Sequence, residues 1–301
     1  MTIARALARL PVVAALVALS SVASAASLDL KLRNAEGQEV LNRILEDDSY
    51  WADAYTKSYS GKQYDEIRLK SIESGYVPMI TGEGAQDFDH DVVADVVYMQ
   101  NTRLPKYMDG AKIVIDLGRG YDKTVGAEYR DTFYVLDLTL FYATFPQRMY
   151  RRHDAETNRT VLWFEKIEPS WVPAATWTEY QAKMTSSVEN MDTRWIGGSV
   201  VPVGDIYGMF LVEPGETQTS RVSFVSKLAF GDDAGFIAKM GSQMAPVLKA
   251  GLRSGFGASV AIAAHEQERR EKRKKAAEEA AKKEAAEQGS EAPAPAPAPA
   301  P

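Results

Sequence analysis

The sequence predicts an α+β fold in which a curved antiparallel sheet wraps around a long C-terminal helix. Two patterns carry the prediction. Strand-like segments fill most of residues 112–230, with connections of hairpin length between them. After them comes a helical segment whose apolar residues Phe236, Met240, Met244, Val247 or Leu248, and Gly251 recur at three- to four-residue spacing. This stripe is rich in Met and Gly, which pack adaptably, as suits a wall that closes over a ligand. The plainer alternative is a helix that completes a core.

The elements follow in order. An opening helix is expected over residues 36–59, carrying Val40, Leu41, Ile44, Leu45, Trp51 and Tyr55. Two strands follow, over 65–72 and 77–84, joined at Ser74-Gly75. A short helix over 89–99 starts among Asp87, Asp89 and Asp91, acids that the helix dipole and capping favour there. Strands are expected over 112–117, 128–136, 138–145, 148–153, 160–167, 195–203, 206–213 and 221–230, with Gly118-Arg119-Gly120 as a hairpin turn. Residues 168–193 interrupt them. There Thr176-Trp177-Thr178-Glu179 reads as a capping box, and Trp177, Tyr180, Met184, Val188 and Met191 form one helix face. That face covers the rim of a cavity, a membrane surface or the sheet itself, and its few Lys and Arg neighbours weigh against the membrane.

Composition shifts set the boundaries. Arg5 and Arg9, the apolar run 11–19 and Ala23-Ser24-Ala25 predict a signal peptide over 1–26. The folded domain is then 27–264. A charged, Ala-rich helical tail over 265–288 lacks a wide apolar stripe, and the Ala-Pro segment 289–301 is expected to be extended, because every second residue lacks an N–H. The chain has no cysteine, which excludes disulfides, thiolate metal sites and a cysteine nucleophile. With the signal peptide, this predicts a periplasmic or secreted protein, soluble after cleavage.

The formal net charge of −6 leaves no basic footprint for nucleic acid. The one dense basic cluster, within 269–275, is offset by glutamates along the same tail. No catalytic or phosphate-binding motif occurs, and neither a cofactor nor a metal is expected. His90 among its acids reads as a helix start. Arg148 shares a predicted strand face with Tyr150; an inward Arg there pairs with Asp137 or Glu165, or meets the polar end of a ligand.

Three segments resemble a known family. Asn101-Thr102-Arg103-Leu104-Pro105-Lys106-Tyr107-Met108-Asp109-Gly110, Phe145-Pro146-Gln147-Arg148-Met149-Tyr150 and Asp232-Asp233-Ala234-Gly235-Phe236-Ile237 occur in the order found in START-like lipid-binding domains of the SRPBCC superfamily. The resemblance implies the helix-grip fold and the binding, with transfer as an extension, of a lipid, sterol-like or isoprenoid ligand in an internal cavity. It admits transient membrane contact. The relatives also imply a cyclase-like enzyme as an alternative, and a structural or adaptor protein of the cell envelope is a third. Candidate ligand-binding residues are Arg148, Trp177, Tyr180, Met184, Phe224, Leu228, Phe236, Met240, Met244 and Leu248.

Overall fold

The computed structural model describes residues 30–46, 55–59, 62–66, 68–71, 78–81, 88–99, 101–191, 200–214, 220–231 and 241–290. The expected signal peptide lies outside the described residues, as do residues 291–301 of the segment expected to be extended; Gly289 and Ser290, its first two residues, instead end the last helix.

Helix α1 (Ala35–Glu46) opens the fold. It ends earlier than its apolar pattern predicted, and Tyr55–Tyr59 is a strand, β1, paired antiparallel with β2 (Lys62–Glu66). Tyr55, Thr56 and Tyr59 are strand formers, and the hairpin partner supplies the hydrogen bonds that a helix end would lack. A second hairpin joins β3 (Arg68–Ser71) to β4 (Pro78–Thr81). Helix α2 (His90–Met99) buries Val92, Val93, Val96, Val97 and Tyr98. Its β-branched residues are mediocre helix formers, so tertiary burial holds it. A 3₁₀ segment, Asn101–Lys106, leads into the main sheet.

That sheet contains β5 (Ala111–Asp122), β6 (Ala127–Asp137), β7 (Tyr142–Asp154), β8 (Arg159–Lys166), β9 (Val200–Pro214) and β10 (Ser220–Phe230). The strands lie side by side in chain order, each antiparallel to the next. Helix α3 (Ala174–Val188) interrupts the series, and α4 (Gly241–Ser290) follows it.

The sheet departs from the sequence reading in three places. Gly118 and Gly120 lie inside β5, and the turn falls after Asp122, where Gly126 takes a positive φ of 73°. These two glycines make room instead: a Cβ on Gly118 would stand 2.5 Å from Tyr180 Oη, and one on Gly120 would stand 2.9 Å from Tyr129 Oη. The segments 138–145 and 148–153 merge into β7, with Pro146 in mid-strand. Pro146 is tolerated because the β8 ladder stops at Gln147–Lys166 and the parallel pairing with β9 covers only Tyr142 to Thr144, so that edge asks for no N–H there. The segments 195–203 and 206–213 join into β9, with 192–199 outside the described residues.

Alternation gives the sheet two faces. On the concave face, Tyr134, Phe145, Met149, Leu162, Phe164 and Leu228 form one core with α2 and with Ala258, Val260, Ile262, Ala263 and Ala264 of α4. On the other face, Tyr150, Trp163, Tyr207 and Met209 pack with Leu30 and Leu41 of the first segment, while Leu117, Phe133, Val135 and Tyr142 pack with α3.

Candidate functional site

Between the concave face and α4 the core is incomplete. A cavity of about 330 Å³ lies there, a volume at the lower end of small-molecule sites. The sheet contributes Phe145, Met149, Phe164, Ile206, Phe210 and Leu228. Val96 and Val97 of α2 and Leu104 and Met108 beyond it close one side. Helix α4 contributes Ala250, Ser254, Gly255, Ser259 and Ile262. Small residues at four of these α4 positions, Ala250, Ser254, Gly255 and Ser259, leave space where Leu or Phe would fill it, which is why a cavity survives beneath a packed helix.

The cavity has a wet end and a closed end. Thr139, Ala250 and Ser254 line it and are exposed, so they mark its mouth. Thr139 adopts a φ of +73°, unusual for a β-branched residue, and its N–H donates to Asp137 Oδ1 at 2.8 Å. Asp137 faces Lys112 at 3.5 Å. At the closed end, Asn101 Nδ2 donates to Tyr134 Oη at 2.7 Å and lies 3.4 Å from Thr132 Oγ1. Burial pushes the Tyr134 hydroxyl far above its usual range, so it stays protonated. Gln147 stands directly opposite Thr132 in the sheet register and lines the same end. Such a pocket can hold and orient a neutral, mostly apolar molecule. Among its described lining residues no nucleophile is paired with a base, and no group of three His, Asp or Glu side chains able to hold a metal occurs among the described residues.

Of the sequence candidates, Leu228 lines this cavity. Phe224 is opposite Phe210 in the β9–β10 register, but its side chain lies outside the described residues. The same holds for Met244 and Leu248, whose backbones are in α4; Phe236 and Met240, with the turn at 232–237, lie outside the described residues altogether.

Trp177, Tyr180 and Met184 are on the wrong side. They pack with Leu117, Phe133 and Val135, the face of β5 and β6 that points away from the cavity. Tyr180 is buried there and its hydroxyl donates to Asp131 Oδ2 at 2.9 Å. The capping box does not form either. The helix begins at Ala174 behind Pro173, with no side-chain cap, so Thr176 is already inside its first turn. The periodicity identified an apolar helix face, but periodicity does not say which side of a sheet receives it.

Arg148 also faces away from the cavity; Asp137 is not its partner, and Glu165, opposite it on β8, meets it only as a nearby charge. Arg148 Nε and Nη2 each donate to the carboxylate of Asp131 at 2.7 Å, the residue opposite it on β6. Its guanidinium also lies 3.8 Å from the Tyr129 ring centroid. Burial opposes the Arg148 charge, and the Asp131 carboxylate more than restores it, so its pKa lies above the ordinary value. Asp122 extends the network, 3.7 Å from Arg148 Nη1 and accepting from Arg33 Nη2 at 2.7 Å.

Asn101 and Gln147 fall in segments that carry the resemblance, but neither they nor Tyr134 were among the candidate ligand-binding residues. The available signal was alternation: Phe145, Gln147 and Met149 share one face of β7, a polar side chain between two apolar ones.

No family model matches the chain, and no curated protein matches it. Among solved structures it is similar to a STAR-related lipid transfer protein from Xanthomonas axonopodis, at 10% identity over 70% of this chain and 97% of that chain, with a TM-score of 0.41. It is also similar to human StAR-related lipid transfer protein 5, at 14% identity over 73% and 94% of the two chains, with a TM-score of 0.37. The aromatase/cyclase Zhui from a Streptomyces species gives 18% identity over 62% and 90%, with a TM-score of 0.37. At these values the likenesses carry no argument, and the reading rests on the fold and cavity of this chain. In its sheet order, in the helices on its concave face and in its long final helix, the chain has an α+β helix-grip fold.

Proposed function

We propose that the chain binds one small apolar or amphipathic molecule in the cavity beneath α4 and passes it on, in the periplasm or outside the cell, after loss of a signal peptide. The cavity is the observation that carries this reading: a space of about 330 Å³, walled mainly by aliphatic and aromatic side chains and open at one end. Enclosing roughly 300 Å² of apolar ligand surface contributes on the order of 7 kcal/mol before association costs, which supports reversible binding. The volume suits a monoterpene- or octanol-sized molecule, or part of a larger one, in preference to a two-chain phospholipid. Transient contact with a membrane is the natural source of such a ligand. The basic and apolar pattern of residues 1–25 supports the exported address.

Periplasmic protein from a bacterial host tests both parts. It is expected to begin near Ala26 or Ser27, to release an apolar small molecule on organic extraction, and to bind the neutral fluorescent dye N-phenyl-naphthylamine. Leu228→Trp, which fills the cavity from the sheet side, is expected to abolish dye binding. Native protein that neither yields an extractable molecule nor binds the dye would defeat the binding reading. Retention in the cytoplasm would defeat the address.

A further inference from the structure

The closed end of the cavity is chemically unlike its walls. Gln147 is only 5% exposed, yet it lines the cavity, and its side-chain amide makes no hydrogen bond among the described residues. A buried amide without partners costs free energy, and it persists where something else completes it. Asn101, 6% exposed, lines the same end, and its Oδ1 is buried without a hydrogen-bond partner. Its other amide atom is committed to Tyr134 Oη, which accepts, so the Tyr134 proton is left to donate.

The inventory of unfilled positions selects the chemistry. Two acceptors, Gln147 Oε1 and Asn101 Oδ1, ask for a donor, while Gln147 Nε2 and Tyr134 O–H ask for an acceptor. A hydroxyl is both at once. A carboxylate offers no donor, and it would be buried where the lining residues provide no cation, which is costly. An alkane offers neither. We propose, resting on the binding reading above, that the ligand is an apolar molecule bearing a neutral hydroxyl, inserted hydroxyl first and anchored by the Gln147 amide beside the Asn101–Tyr134 pair. Gln147 is thus the specificity-determining residue, and the aliphatic and aromatic walls are tolerant of the body they enclose.

Displacement of N-phenyl-naphthylamine by octanol, octanoate and octane at pH ~7 tests this on the full chain. Octanol is expected to displace the dye about tenfold more tightly than either of the others, the factor that about 1.4 kcal/mol of hydrogen bonding supplies. In Gln147→Met, similar in length but without the amide, the ratio of octanol to octane affinity is expected to fall to near one. If that variant does not fold, Asn101→Leu is expected to lower the same ratio. Equal affinity of native protein for octanol and octane would overturn the hydroxyl anchor while leaving an apolar binding site. Tighter binding of octanoate would overturn its neutrality, and an unchanged ratio in a folded Gln147→Met would overturn the residue. Dye binding that none of the three competes with, or no dye binding at all, would fail the binding reading itself.

Discussion

Glu165 shows how burial can set a titration. It lies in β8 at 1% exposure, and its carboxylate accepts the backbone N–H of Arg33 at 2.8 Å and that of Asn34 at 2.9 Å. Burial nevertheless pushes its pKa up to about 7, from an ordinary value of 4.5. Between those values the native state keeps a proton that the unfolded chain has released. Stability from this group is therefore present at low pH and is lost as pH rises through about 7, by up to about 3 kcal/mol. Denaturant unfolding of Glu165→Gln over pH ~5 to ~8 is expected to show this slope removed. Parallel profiles for variant and native protein would refute it. Arg148 carries the complementary lesson: the sequence marked a charged strand residue that needs a partner when buried, but register places both Asp131 and Glu165 opposite it, and only the packed structure shows that Asp131 takes the hydrogen bonds.

Helix α3 is the element on which the sequence and the structure part most clearly. Its apolar spacing was legible, and its place on the sheet was not, because either face of a sheet can receive an amphipathic helix. Tyr180 now serves as the discriminator. Tyr180→Ala removes a buried ring and its hydrogen bond to Asp131, and is expected to lower unfolding free energy by about 3 kcal/mol or more while leaving dye affinity unchanged. Weakened dye binding with intact stability would place α3 at the cavity after all. Other elements were read to within a few residues: α2, β6, β8 and β10 all carry uninterrupted periodicity. The misreadings have one physical source. Pro146, Gly118 and Gly120 are breakers when viewed locally, but each fits its strand through a neighbour distant in sequence: Pro146 opposite the end of β8, Gly118 beneath Tyr180, Gly120 beneath Tyr129. Gln147 was overlooked for a related reason. Whether a polar residue between apolar ones lies in a core or in a cavity depends on how completely α4 fills the concave face.

At the scale of the molecule, one sheet separates two kinds of interior. Its outer face is closed by a network of charges running from Arg33 through Asp122, Arg148 and Asp131 to Tyr180, and its inner face holds the space beneath α4. The helix itself changes character along its length. Packing continues past the expected boundary at residue 264: Glu266 is buried, and Arg270 Nη2 meets Asp95 Oδ2 at 2.6 Å, whereas residues 271–286 are exposed throughout. Cutting the chain after Lys275 is therefore expected to leave the melting temperature nearly unchanged, and cutting it after Ala264 to lower it by several degrees. Equal melting temperatures for the two truncations would show that the Glu266–Arg270 contacts contribute nothing. Among the described residues no helix is long and apolar enough to cross a membrane. The sixteen exposed residues of α4, at 1.5 Å rise each, extend roughly 24 Å from the last packed turn. Because the helix is continuous, this projecting arm and the residues that roof the cavity, Ala250, Ser254 and Ser259, belong to one rod, so a tilt of the far end that bent nothing would be a tilt of the roof by the same angle.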